Sequence, residues 1–214
     1  MKVLVVGANG QIGRHLVNLL HESNEHQVRA MVRKEAQKAS FEEMGVETVL
    51  ASLEGSVADI AGAATGCDAV VFSAGSGGHT GPDMTLLIDL DGAVKTIEAA
   101  ENLGIKRFIM VSALQAHNRE NWNNKIRPYY VAKHYADRIL MQSDLTYTIV
   151  RPGGLLNETA KGKISVGESL DRTTITREDV ARVIFESINE KNTFNTSFDV
   201  VNGDAPISDA LKNL

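Results

Sequence analysis

The sequence predicts an α/β fold: a doubly wound, mostly parallel sheet forming a single domain. Three observations predict it. Short apolar runs alternate with longer stretches of helical periodicity, a glycine-rich turn follows the first run, and no Pro/Ser/Gly-rich linker divides the 214 residues. Hydrophobic residues make up 43% and charged residues 23% of the chain, a balance that supplies a buried core and excludes a disordered or low-complexity chain.

The first element is the run Val3 to Val6, followed by Gly7 and then by a helix with Ile12, Leu16, Val17, Leu19 and Leu20 on one face. Further buried strands are expected at Val28 to Val32, Thr48 to Ala51, Ala69 to Ser73, Phe108 to Ser112 and Tyr147 to Val150, each separated by a helix-like segment. Such alternation requires a parallel sheet covered on both faces. A long helix is expected from about Met84 to Leu103, with Leu87, Ile88, Val94, Ile97 and Ala100 inward and Gly104 as its C-cap. Another opens near Thr176, with Asp179 in the reciprocal capping-box position and Val180, Val183, Ile184 and Ile188 as its apolar face. Phe198 to Val201 reads as a last strand, and Pro206 opens a short terminal helix at its first turn.

Composition removes several classes of function. Lys and Arg number 22 against 27 Asp and Glu, for a net charge of -5, so no broad basic surface points to nucleic acid or anionic lipid. No window approaches the roughly 18 apolar residues of a membrane span, and the apolar run after Met1-Lys2 is too short for a signal peptide, so the cytoplasm is the expected compartment. The single cysteine, Cys67, excludes an internal disulfide and a multi-cysteine zinc site, and reads as structural. The histidines show no HxH or HExxH spacing, so no metal is expected, and no GxSxG elbow is present. Oligomeric state has no signature in the sequence.

The strongest local signal is Gly7-Ala8-Asn9-Gly10-Gln11-Ile12-Gly13, a GxxGxxG directly after the first strand and opening the first helix. Gly7 can turn the chain sharply, Gly10 lets a pyrophosphate approach the main chain, and Gly13 lets the helix pack on the strand. Free amides at the helix start then face the phosphates, where the macrodipole also favours negative charge. The spacing differs from GxxxxGK[ST], so mononucleotide phosphotransfer has no support. The second strand ends Met31-Val32-Arg33-Lys34, where a carboxylate would be expected for NAD. Here the charge is reversed: Arg33 can pair with a ribose 2′-phosphate, Arg14 can add a second contact, and Lys34 reads as solvated. NADP(H) is therefore expected in preference to NAD(H).

The glycine loop, the strand ending in Ser112 and the YxxxK pair Tyr129 and Lys133 together resemble the short-chain dehydrogenase/reductases, in particular their atypical branch. Gly104 to Ser112 and Tyr147 to Gly154 carry the same resemblance, which spans nearly the whole chain and points to a Rossmann fold. It is similar to flavin and biliverdin reductases, to NmrA-like NADP-sensing proteins, and above all to a bacterial group labelled as sugar epimerases. The resemblance implies that Tyr129 exchanges a proton with the substrate oxygen, that Ser112 hydrogen-bonds that oxygen, and that Lys133 lowers the tyrosine pKa and holds the nicotinamide ribose. On residue chemistry alone, Tyr129 and Lys133 share one helical face, where a cation favours phenolate. Tyr130 misses the spacing, and Tyr135 reads as packing.

Ligands of open α/β sheets sit beyond the carboxyl ends of the strands. Residues 1–154 are thus the expected cofactor-binding core, with 155–214 a small C-terminal part on the substrate side. Ser52-Leu53-Glu54 would flank the adenine, Ala74-Gly75-Ser76 the ribose and phosphates, and Pro152-Gly153-Gly154 the nicotinamide. The family usually has an Asp near the adenine; here that place reads Ser52-Leu53-Glu54, which leaves the side-chain contact open and still allows a backbone contact. Two irregular segments, Ser76 to Gly81 and Gln115 to Arg127, should rim the substrate pocket. The second holds His117, Asn118, Arg119, Asn121, Trp122 and Asn123, a polar surface with one aromatic platform suited to a small polar molecule. His79 and His117 read first as ordinary loop residues and only second as substrate contacts. An oxidoreductase is the leading expectation. An epimerase or dehydratase with tightly held NAD(P) is the alternative, disfavoured by the short stretch between Gly154 and Thr176, and a non-catalytic NADP(H) redox sensor is a third.

Overall fold

A computed structural model describes all 214 residues. The strands are β1 (Lys2–Val6), β2 (Gln27–Val32), β3 (Glu47–Leu50), β4 (Ala69–Phe72), β5 (Arg107–Val111), β6 (Thr146–Pro152), β7 (Gly154–Leu156), β8 (Lys163–Gly167), β9 (Thr174–Thr176), β10 (Thr196–Asn202) and β11 (Ala205–Pro206). The helices are α1 (Gln11–Glu22), α2 (Glu35–Glu42), α3 (Val57–Ala64), α4 (Pro82–Met84), α5 (Gly92–Asn102), α6 (Arg127–Gln142), α7 (Arg177–Ser187) and α8 (Ile207–Lys212). Nine strands form one sheet in the order β11-β8-β10-β6-β5-β4-β1-β2-β3, parallel from β10 through β3, while β8 runs antiparallel to β10 and β11. The order reverses between β1 and β4, the crevice at which such sheets bind ligands.

Alternation along the strands builds two cores. Val3, Val5, Val71, Ile109 and Val150 pack under α1, α7 and α8, while Leu4, Val6, Phe72, Met110 and Ile149 pack under α3, α5 and α6. Cys67 belongs to the second core, and burial pushes its thiol pKa up, as a structural residue requires. At the far end of β5 the buried Arg107 donates to the carbonyls of Thr146, Ser187 and Ile188 and to the Thr148 hydroxyl, tying the C-terminal part to the core. Burial lowers its pKa to about 10.

Several expectations need correction. β3 is an edge strand with Glu47 and Leu50 exposed, because it pairs on one side only. The segment read as one helix from Met84 to Leu103 is interrupted: between α4 and α5 residues Thr85–Asp91 wind as a π-helix, which leaves Leu87 exposed and turns Asp89 into the interior. Thr176 caps α7 by accepting from the Asp179 amide, but Asp179 accepts from the amides of Lys161 and Gly162 rather than from the Thr176 backbone. Pro206 sits at the N-cap of α8, one residue before its first turn. A full capping box occurs instead at Ser56 and Asp59 of α3.

Candidate functional site

The glycine loop joins β1 to α1. Gly7 has φ +87°, and a Cβ there would lie 2.6 Å from the Ala74 amide nitrogen, while a Cβ on Gly13 would collide with the Gly7 carbonyl oxygen. Those two glycines therefore let β4 and α1 close on the loop. Gly10 is exposed, donates to the Gly7 carbonyl at 2.9 Å, and caps α1 without any side-chain acceptor. Ile12 is buried and Gln11 exposed. Arg14 reaches back, its Nη2 donating to Asn9 Oδ1 at 2.5 Å with its guanidinium over the Phe41 ring. Arg33 stands exposed beyond β2, its amide donating to Gln37 Oε1, and Lys34 beside it is exposed.

Across the crevice, Leu53 is buried against Gly92, so its side chain faces the core, while Glu54 is exposed. After β4, the Ser76 amide donates to Asp89 Oδ2 at 3.0 Å, and Gly75 lies so close to Asp89 that a Cβ would approach its Oδ1 to 3.1 Å. Asp89 Oδ1 in turn is 3.2 Å from Lys133 Nζ, and the two side chains are 0% and 3% exposed.

β5 ends at Val111, just before Ser112, and α6 carries Tyr129 and Lys133. Lys133 Nζ donates to the Val111 carbonyl at 3.2 Å, next to Ser112, and lies 5.7 Å from the centre of the half-buried Tyr129 ring. The Ser112 amide donates to the Val150 carbonyl, which fixes the residue at the end of the sheet, while its buried Oγ has no hydrogen-bond partner. One turn beyond Lys133, the buried Asp137 holds Arg151 Nε at 3.0 Å and leaves Oδ1 unpaired. Burial nevertheless raises the Asp137 pKa overall. Lys133 favours phenolate, as expected, yet the net shift of Tyr129 is upward. Burial pushes the Tyr129 pKa up, and the opposing pull of Lys133 does not reverse it, because Asp89 and Asp137 also oppose phenolate.

The remaining predicted residues divide. Pro152 and Gly153 are buried, and the Gly153 and Gly154 amides already donate to the carbonyls of Val200 and Thr173, so these glycines serve the close packing of β6 on β9 and β10 rather than offering free amides. Tyr130 is buried, accepts from Arg172 Nη1 at 2.7 Å and stacks on Trp122, so its hydroxyl is engaged although its ring lies edge-on to that of Tyr129. Tyr135 is exposed and accepts from Arg119, a surface contact where packing was expected. Gln115 adopts φ +63° while buried, and its side chain ties Ser169, Leu170 and Asn121 together. That clasp frames an open depression of about 530 Å³ lined by His117, Asn118, Arg119, Glu120, Glu168 and Ser169, none of them hydrophobic. His79 is exposed in the other rim segment. No group of three or more His, Cys, Asp or Glu side chains could hold a metal ion.

Asp89 and Asp137 were not foreseen as parts of the site, and Gln115 was foreseen only as the start of a rim segment. A profile described as NAD(P)H-binding matches residues 7–191. The chain belongs to this NAD(P)H-binding family. It is 63% identical over 214 residues, covering all of both chains, to a Bacillus subtilis relative named "Uncharacterized sugar epimerase YhfK". Among solved structures it resembles a Bacillus halodurans protein named "Putative NAD-dependent epimerase/dehydratase", at 47% identity and TM-score 0.93 over 100% of each chain. It also resembles the oxidoreductase ylbE of Lactococcus lactis, at 32% identity and TM-score 0.88, covering 100% of this chain and 96% of that one. The family's cofactor fits the residues present. A loop whose Gly7 and Gly13 admit no Cβ, with an exposed Gly10 at a helix start that no side chain caps, leaves main-chain donors for a pyrophosphate.

Proposed function

We propose that the protein is an NADPH-dependent oxidoreductase of the atypical short-chain dehydrogenase/reductase type that reduces a carbonyl or related group on a small polar molecule. The observation that carries this reading is the packing of Lys133 between the Val111 carbonyl beside Ser112 and the ring of Tyr129. Gly7, Asn9, Gly10, Gln11, Ile12 and Gly13 would hold the pyrophosphate, with Ala74, Gly75 and Ser76 across the crevice. Leu53 and Glu54 would offer backbone to the adenine, and Pro152 to Gly154 would wall the nicotinamide side. When bound, NADPH supplies hydride. Tyr129 Oη gives a proton to the substrate oxygen, Ser112 Oγ hydrogen-bonds that oxygen, and Lys133 orients the phenol with an ammonium donor left for a ribose hydroxyl.

NADPH is preferred over NADH in this reading because the exposed Arg33 guanidinium stands where an NAD enzyme would place a carboxylate. Arg14, held on Asn9, would add to the same positive end of the crevice. The wholly polar depression between residues 117–120 and 168–169 supports a polar substrate. An epimerase, as the Bacillus subtilis relative is named, is the second reading. It requires cofactor retained through purification and turnover without net oxidation.

The test is NADPH consumption by wild type and Tyr129→Phe against a panel of carbonyls, quinones and flavins. The variant should lose about 10²- to 10⁴-fold in turnover, the range for a lost general acid. Equal rates would remove Tyr129 from the chemistry.

A further inference from the structure

The functional reading leaves Asp89 unused, although its carboxylate is the opposite charge in direct contact with Lys133. It lies in the π-wound segment Thr85–Asp91, wholly out of solvent, with Oδ1 3.2 Å from Lys133 Nζ and Oδ2 accepting the Ser76 amide at 3.0 Å. Its setting is specific in two ways. π-Winding inside an α-helix is rare and concentrates at functional sites, and here it separates α4 from α5 where Asp89 turns inward. Gly75 supplies the matching space, since a Cβ there would approach Asp89 Oδ1 to 3.1 Å.

We propose that Asp89 is a positioning residue that acts through Lys133: its carboxylate cancels the ammonium charge felt by Tyr129, so that Tyr129 keeps its proton and the site donates protons rather than withdrawing them. This inference relies on the reading above only for the contact between Tyr129 and substrate. The coupling of Asp89, Lys133 and Tyr129 stands without it.

The physical reason is the distance dependence of the field. A lone ammonium that is itself out of solvent, 5.7 Å from the ring centre, would favour phenolate. With a carboxylate 3.2 Å from that ammonium, the phenol meets a dipole, whose effect falls off faster than that of a charge. The titratable groups facing Tyr129 are Lys133, Tyr130 and Asp137 from α6 and Asp89 from the π segment, and of these Lys133 alone favours phenolate. Asp137 is itself engaged by Arg151 from β6. A tyrosine kept as phenol suits reduction. With a bound NADPH as the hydride donor to the carbonyl carbon, the oxygen would gain the Tyr129 proton to give the alcohol, and the phenolate left behind would take a proton from water.

The experiment is ¹³Cζ-tyrosine NMR titration of the protein without substrate, with Tyr129→Phe assigning residue 129 among the four tyrosines. Wild-type Tyr129 should not ionise below the ordinary tyrosine value of about 10. Asp89→Asn should raise its acid dissociation constant at least about tenfold, and Asp89→Asn/Lys133→Met should reverse that gain. Wild-type Tyr129 ionising near neutral pH would overturn the inference, and this outcome needs no Asp89 variant that folds. An unmoved or upward-shifted Tyr129 in Asp89→Asn would overturn it equally. Turnover that survives Tyr129→Phe would sink the functional reading and leave this coupling intact; a failed titration with Tyr129-dependent turnover would do the reverse.

Discussion

Arg151 Nε donates to Asp137 Oδ2 across 3.0 Å, joining β6 to α6 with the two side chains only 3% and 2% exposed. A buried pair of this kind gains little over an apolar pair of the same volume, yet losing one partner strands a charge in the core. Arg151→Met should therefore cost about 3–5 kcal/mol in urea unfolding. Arg151→Met/Asp137→Leu should recover much of that loss. Equal stability of the single and double variants would show that Asp137 is not stranded.

Gly7 and Gly66 have similar positive φ, +87° and +78°, but only Gly7 has a neighbour where a Cβ would go. Gly66→Ala should cost only the roughly 1–2 kcal/mol of a left-handed alanine. Gly7→Ala adds the collision with Ala74, so it should cost clearly more and abolish NADPH binding. Thermal melts and a fluorescence titration with NADPH check both. Matching melts and retained binding would deny the close approach of β4 to the loop.

Two histidines make the fold acid-sensitive. Burial lowers the pKa of His26, helped by the N-terminal ammonium, and lowers that of His117, helped by Arg151. Both therefore bind protons more readily when unfolded. The stability this provides is present above the unfolded value of about 6.5 and is lost as pH falls through the lower folded values. Asp137 and Asp199, raised by burial, act in the opposite sense as they protonate, and they are common to wild type and variant. His26→Gln/His117→Gln should lose less melting temperature than wild type between pH 7 and 5, measured by calorimetry. Parallel curves would contradict the shifts.

Cofactor preference should reside in Arg33. A ligand that binds only the folded state adds about 2.7 kcal/mol at one hundred times its dissociation constant. NADPH should thus raise the wild-type melting temperature more than NADH does, and Arg33→Asp should invert that order. An unchanged order would place the discrimination elsewhere.

The glycine loop was legible because each glycine answers a local demand that strand, turn and helix make in fixed order. Ser112, Tyr129 and Lys133 were singled out through the family resemblance, because a strand-end serine and a tyrosine and lysine four apart on a helix do not by themselves mark a site. Asp89 was not, since the pattern from Met84 to Leu103 reads as uninterrupted α-helix, and a π-turn that redirects one side chain leaves the apolar spacing nearly unchanged. Asp137 was hidden for a related reason. An acid four residues after a lysine on an amphipathic helix normally belongs to the solvated face, and only Arg151, arriving from β6, makes its burial tolerable. The short strands β7, β8 and β9 lack apolar runs because tertiary pairing, not periodicity, defines them.

The most direct measurement follows deuterium from the C4 position of NADPH, labelled in turn on each face, during turnover with the carbonyl, quinone and flavin panel. Net reduction predicts that one labelled face delivers deuterium to the reduced product while NADP⁺ accumulates in equal amount. Conversion of a panel member with the label returned to the cofactor, or no consumption of NADPH by any member, would contradict it.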